Sequence, residues 1–85
     1  MTLAVGKNAI IQQLTAGFEK QFGSPMPKLE LVAEYYFGMS PETAMTEYNK
    51  GRLPINIHRL GGRKSPAVVS TLELAQHAYE RIKAS

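Results

Sequence analysis

The chain has 85 residues, a formal net charge of +3, no cysteine, and ordinary shares of apolar and charged residues. One small domain of this size buries a modest core, which argues against a deep substrate pocket, while the composition argues against disorder. Without cysteine there is no disulfide framework, thiolate metal site or cysteine nucleophile, and no apolar run approaches a membrane span.

The opening residues, Met1 to Lys7, lack the charged start and apolar run of a signal peptide, so a soluble, cytoplasmic protein is expected. Residues 7–22 then place Ile10, Ile11, Leu14, Phe18 and Phe22 at helical spacing, with Gln12, Gln13, Glu19 and Lys20 on the wet side. Gly17 costs that helix about 1 kcal/mol relative to alanine. Gly23-Ser24-Pro25-Met26-Pro27 stops it.

A second helix is expected over residues 30–37, led by Leu29, with Val32, Ala33 and Tyr36 on one side. Gly38 suits the left-handed residue that ends it. Ser40 is a natural N-cap for a third helix, and Pro41 is pre-set for its first position. That helix runs to about residue 50 with Ala44 and Tyr48 inward; Gly51 terminates it and Pro54 forbids its resumption. Two helices joined so tightly form a helix-turn-helix over residues 29–50.

Ile55 and Ile57 alternate with Asn56 and His58 as in a strand, and Ala67-Val68-Val69 is a second β-prone run. Gly61 and Gly62 turn the chain between them, so residues 55–69 read as a hairpin, or wing. Ser70-Thr71-Leu72-Glu73 is a capping box opening a last helix over residues 71–83, with Leu74, Ala75, Ala78, Tyr79 and Ile82 as its buried stripe. The fold class is therefore mainly α with a small β-hairpin, a winged helix-turn-helix in one domain, residues 1–85, preceded by an extra N-terminal helix.

The stretch from Tyr48 to Pro66 carries five of the ten basic residues, Lys50, Arg52, Arg59, Arg63 and Lys64, and no carboxylate. Such a stretch ending in a glycine-hinged tip suits a nucleic-acid phosphate backbone.

From Leu29 onward the order of elements resembles the MerR and phage-excisionase winged helix-turn-helix superfamily. The residues that match are Val32-Ala33, Gly38-Met39-Ser40-Pro41, Lys50-Gly51-Arg52-Leu53-Pro54, Arg59 to Pro66, and Ser70 to Ala75. More narrowly, the run from Leu29 to Ala44, with Gly51-Arg52-Leu53-Pro54 and Arg63-Lys64-Ser65-Pro66, resembles the pyocin activator (PrtN) family across residues 14–82. The resemblance implies a phage or prophage DNA-binding regulator in a bacterial host: a transcriptional activator, or a Cox-like repressor that also directs excision. It also implies cooperative binding to repeated sites. The chain departs from the superfamily in its recognition helix, which offers Glu42, Thr43, Thr46 and Glu47 where arginine is usual. Carboxylates are repelled by phosphate, although they accept a hydrogen bond from cytosine.

Each DNA-binding candidate has a plainer structural role beside it. Arg63 and Lys64 at the tip either grip a narrow minor groove or simply solvate a loop, and Ser65 adds a phosphate hydrogen bond. Lys50 and Arg52 suit the negative end of the helix dipole, and equally clamp phosphate at the groove edge. Ser40 is first a cap, while Thr43, Thr46 and Glu47 face outward as candidates for base edges. Arg59 either contacts DNA or pairs with a carboxylate such as Glu73. Tyr35 is expected as a half-buried surface residue and Tyr36 in the core.

His58 and His77 have no partner ligands at metal spacing, and no nucleophile or phosphate loop occurs, so neither an enzyme nor a bound cofactor is expected. The expected partners are double-stranded DNA and further copies of the chain, because so small a domain reads few base pairs. The alternative is a prophage-encoded interaction module that binds a host repressor or polymerase. It is motivated by the acidic recognition helix and the N-terminal helix, which the winged core does not require.

Overall fold

The structure, a computed structural model, describes residues 6–84; the reading of residues 1–5 as lacking a leader lies outside that range. The described chain is mainly helical: α1 (Lys7–Phe22), α2 (Leu29–Val32) continuing as a π-helical segment (Ala33–Phe37), α3 (Pro41–Asn49) and α4 (Thr71–Ala84). None of these helices is long and apolar enough to cross a membrane.

The apolar spacing of α1 turns Ile11 fully inward and leaves Leu14, Phe18 and Phe22 half-buried. Gly23 stops the helix at φ 78°, a left-handed conformation that disfavours any side chain, and its N–H closes on the Glu19 carbonyl at 2.7 Å. The helix packs along α4. Lys7 reinforces the contact, with its ammonium 3.9 Å from Glu80 Oε2 and 5.6 Å from the centre of the Tyr79 ring. Phe18 meets Tyr36 edge-on at 5.6 Å, and both Phe18 and Phe22 pack on the central core. The aromatic residues of this helix thus wall the core.

After α1 the Ser24 hydroxyl accepts the Met26 N–H at 3.0 Å, and the chain then runs extended as a strap. The Pro25 and Pro27 carbonyls accept the N–H groups of Thr71 and Val69, each at 3.0 Å, and Leu29 donates to Ala67 at 2.9 Å. Lys28 is thereby bridged antiparallel to Val68. On its other side Val68 exchanges both backbone bonds with His58, at 2.8 and 2.9 Å. Val68 is thus the middle of a sheet one residue deep.

No strand longer than these isolated bridges forms among the described residues, so the expected two-stranded ladder over residues 55–69 is reduced to one pair. The physical reason is local. Pro54 and Pro66 lack N–H donors, and the Asn56 N–H turns instead to Glu73 Oε1 at 3.3 Å.

Helix α2 begins one residue before the expected start, and its last turn is wider than an α-helix. The N–H of Gly38 reaches back to the Ala33 carbonyl, Met39 bonds the same oxygen at 3.0 Å, and Gly38 takes φ 67°. Ser40 then caps α3, its Oγ accepting the Thr43 N–H at 3.1 Å with Pro41 at the first turn. Gly51, at φ 72°, ends the helix.

Leu29, Val32, Ala33, Ala44, Ile55, Val69 and Leu74 form the core, with Tyr36, Phe37, Met39, Met45, Leu53, Ile57 and Ala67 packed around it. Ser70 caps α4 by accepting the N–H groups of Leu72 and Glu73 at 3.2 and 3.4 Å. The expected capping box is only half realised, because the Glu73 carboxylate turns toward Asn56 and His58. Ile82, expected in the buried stripe, is 60 % exposed near the end of the helix. Tyr35 is more exposed than expected, at 71 %.

Candidate nucleic-acid interface

Helix α3 with the residues that flank it, and the loop closed by the His58–Val68 pair, hold all ten residues expected to meet DNA. Glu42, Thr43 and Thr46 are exposed on the side of α3 opposite buried Ala44. Their hydroxyls are partly committed. The Ser40 hydroxyl donates to Thr43 Oγ1 at 2.9 Å, which leaves the Thr43 hydrogen for another acceptor. Thr46 donates to the Glu42 carbonyl at 3.0 Å, so its hydroxyl offers a lone pair rather than a proton.

Glu47 is half-buried and lies 3.9 Å from Arg52 Nε, a long, solvated ion pair worth little in stability. It nonetheless lowers the acidity of the surface where a phosphate would approach. Lys50 and Arg52 flank Gly51 and are both exposed. The Arg52 N–H bonds the Glu47 carbonyl at 2.8 Å, which closes the helix end and holds both cations beside it.

The loop is more ordered than its glycines suggest. Ser65 staples it: its Oγ accepts the Gly61 N–H at 3.1 Å and donates to the Gly62 carbonyl at 2.7 Å, while its own N–H reaches the same carbonyl at 3.2 Å. A side chain at Gly61 would sit 3.2 Å from Ser65 Cβ, and Gly62 takes φ 97°, so each glycine has its own reason to be there. Ser65 was expected to bond phosphate; its hydroxyl proton is spent inside the loop.

Arg59 does not pair with Glu73, the carboxylate anticipated for it. Its Nη1 donates to the Ser65 carbonyl at 2.7 Å and braces the loop from the side. Arg63 and Lys64 are exposed, and among the described residues neither makes an ion pair or hydrogen bond. Leu60, beside them, is 73 % exposed, a feature that the charge pattern had obscured.

Glu73 anchors the root of this loop, a role with no local sequence signal because its partners lie 15 and 17 residues away. Its Oε1 accepts from the Asn56 side chain at 2.9 Å and the Asn56 N–H at 3.3 Å, and its Oε2 accepts from His58 Nε2 at 2.7 Å. A carboxylate has no proton to give, so the ring nitrogen carries it. Burial pushes the Glu73 carboxyl upward, but the hydrogen bonds from His58 and Asn56 outweigh burial and hold it below the usual carboxylate value.

One turn further along the same face of α4, the Tyr36 hydroxyl lies 2.7 Å from His77 Nδ1. Burial, with a smaller contribution from Arg81, lowers His77, while burial raises Tyr36 despite the opposing pull of Arg81. Both shifts keep the proton on the phenol and the lone pair on Nδ1, so Tyr36 is the donor. The pair joins the π-helical segment to α4 beneath an open groove lined by Phe37, Pro54 and Ile82.

No curated protein and no solved structure matches the chain. The family model described as pyocin activator protein PrtN matches residues 12–84, from the middle of α1 to the last residue of α4. That span takes in the strap, both capped helices and the stapled loop, and the chain belongs to the pyocin activator protein PrtN family.

Proposed function

We propose that this protein is a phage-related transcriptional activator that binds duplex DNA through a winged helix-turn-helix. In this reading α3 enters the major groove, and the stapled loop, as a minimal wing, lies on the backbone or in the minor groove. The observation that carries the reading is the cationic surface left unneutralised. Lys50, Arg63 and Lys64 are exposed without an ion pair among the described residues, and no carboxylate lies between Glu47 and Glu73 in the chain. Family membership supports the phage association and the activating role.

Base reading by α3 rests on the Thr43 hydroxyl as donor to a base acceptor such as a purine N7, and on Thr46 and Glu42 as acceptors from cytosine or adenine amino groups. Ser40 stays with its cap. One copy covers few base pairs, so specific reading calls for several copies on repeated sites. A repressor or an excision factor would use the same docking surface; footprints beside a promoter support activation, and footprints beside an attachment site support excision.

The test is a fluorescence-anisotropy titration of the full chain against duplex DNA from its own genomic neighbourhood over a range of salt concentrations. With three unpaired cations in the interface, the slope of log affinity against log salt is about −3 per bound copy. A flat salt response overturns the reading.

A second reading, docking on a host repressor or polymerase, is supported by the exposed pair Leu31 and Tyr35, which line an open cleft with Gln21 and Phe22. It expects co-migration with the partner protein and no gel shift with DNA.

A further inference from the structure

Leu60 is the most exposed of the large apolar side chains among the described residues, at 73 %. A lone surface leucine ordinarily calls for no explanation. This one differs in its setting. It sits at the start of a four-residue tip, Leu60 to Arg63, closed by the Ser65 hydroxyl, the Ser65 N–H and the Arg59 guanidinium. The tip is therefore held before any partner arrives, and little ordering entropy remains to be lost on contact. Unpaired Arg63 and Lys64 stand beside the leucine, and no carboxylate interrupts residues 48–72. An exposed apolar point three and four residues from two unpaired cations, on a braced tip, suits a base step framed by two rows of phosphates.

We propose that Leu60 is a wedge that inserts between base pairs from the minor groove and kinks the duplex, with Arg63 and Lys64 holding the flanking phosphates. The inference rests on the DNA-binding reading above and adds to it a deformation of the partner. Apolar side chains inserted in this way unstack a step and bend the helix toward the major groove, and flexible pyrimidine–purine steps yield most readily. Specificity then includes the stiffness of a step that α3 never touches.

The experiment uses the full chain and an alternating TA duplex of roughly 30 base pairs, so that every register offers a flexible step. 2-Aminopurine replaces some of the adenines, and donor and acceptor dyes mark the ends. Anisotropy reports binding, 2-aminopurine brightness reports unstacking, and energy transfer reports bending. Wild-type protein is expected to bind, brighten the probe severalfold and shorten the end-to-end distance.

The Leu60→Ala variant, altered only at an exposed side chain, is expected to bind within about tenfold of wild type, because the burial gained and the unstacking spent nearly offset each other. It should keep the salt slope and lose the brightening and the bend. If Leu60→Ala brightens and bends the duplex as wild type does, or wild type binds without brightening, the wedge is wrong while DNA binding stands. If wild type does not bind the duplex at all, the underlying reading fails and the wedge with it. Vesicles containing phosphatidylglycerol form the control arm. Binding to them that depends on Leu60, with no unstacking of DNA, assigns the tip to an anionic membrane and overturns the wedge.

Discussion

His58 Nε2 and Glu73 Oε2 lie 2.7 Å apart, which ties the residue that pairs the outgoing arm of the loop with Val68 to the first turn of α4. Asn56 places two more donors on the same carboxylate. Replacing Glu73 with alanine removes the acceptor of three donors, of which the two on Asn56 are exposed and can turn to water, and a loss of about 0.5–1.5 kcal/mol is expected. Urea denaturation measures that loss, and DNA affinity should fall further than in a variant of equal stability altered elsewhere, because the loop root is released.

Acid should weaken the fold in two stages. His77 is held below its ordinary 6.5 in the folded state, so the unfolded chain takes up the proton first. Its contribution is complete above that value and declines as pH falls toward the folded one. Glu73 is held below its ordinary 4.5, so its stabilisation persists to lower pH and is lost as the carboxyl protonates. Urea midpoints measured from neutral to strongly acid pH should fall throughout. His77→Gln should flatten the upper part of the curve and Glu73→Gln the lower.

Ser65→Ala removes the staple without touching the core. Global stability should change by no more than about 0.5–1 kcal/mol. Amide exchange at Gly61 should accelerate, because its N–H loses the Ser65 Oγ acceptor. An unchanged exchange rate at Gly61 would contradict the staple.

Arg63→Ala combined with Lys64→Ala should leave the melting temperature nearly unchanged, since neither side chain has a partner among the described residues. The salt slope for duplex DNA should fall by about 2 and affinity should weaken similarly for all sequences. A variant that binds as wild type places the contact elsewhere.

Deleting residues 1–22 removes the helix that carries Phe18 and Phe22 and lies along α4. Circular dichroism should show an unfolded chain at neutral pH. A truncated protein that stays folded but sediments as a smaller species would instead assign α1 to contacts between copies.

Much of the helical order could be read locally. Gly23, Gly38, Ser40, Pro41 and Gly51 act through their own backbone preferences, and each stands where its signal placed it. The long-range side-chain bonds were not legible for the opposite reason. Glu73 meets Asn56 and His58, and Tyr36 meets His77, across separations at which sequence carries no spacing rule. The π-helical turn from Ala33 to Phe37 has no composition cue either.

The two prolines in Pro25-Met26-Pro27 signalled only that the helix stops. They serve as acceptors instead, because a missing N–H does not prevent a carbonyl from pairing. Of the candidate interface, the cations were visible as a pattern. Which of them are already engaged, Arg59 with Ser65 and Arg52 with Glu47, required the geometry.

The Pro25 carbonyl and the two donors of Thr71 are 46 positions apart along the chain, yet they close the domain. Everything between them, including both helices of the proposed reader and the loop, is one large ring pinched shut at its base. Such a ring forms late, because chain entropy must be lost before the closing bonds repay it. The same closure makes the molecule tolerant of a cut. A protease that nicks the exposed tip near Gly62 leaves two pieces still joined by the strap and by α1 lying on α4. The nicked protein should therefore migrate as one folded species and separate only in denaturant.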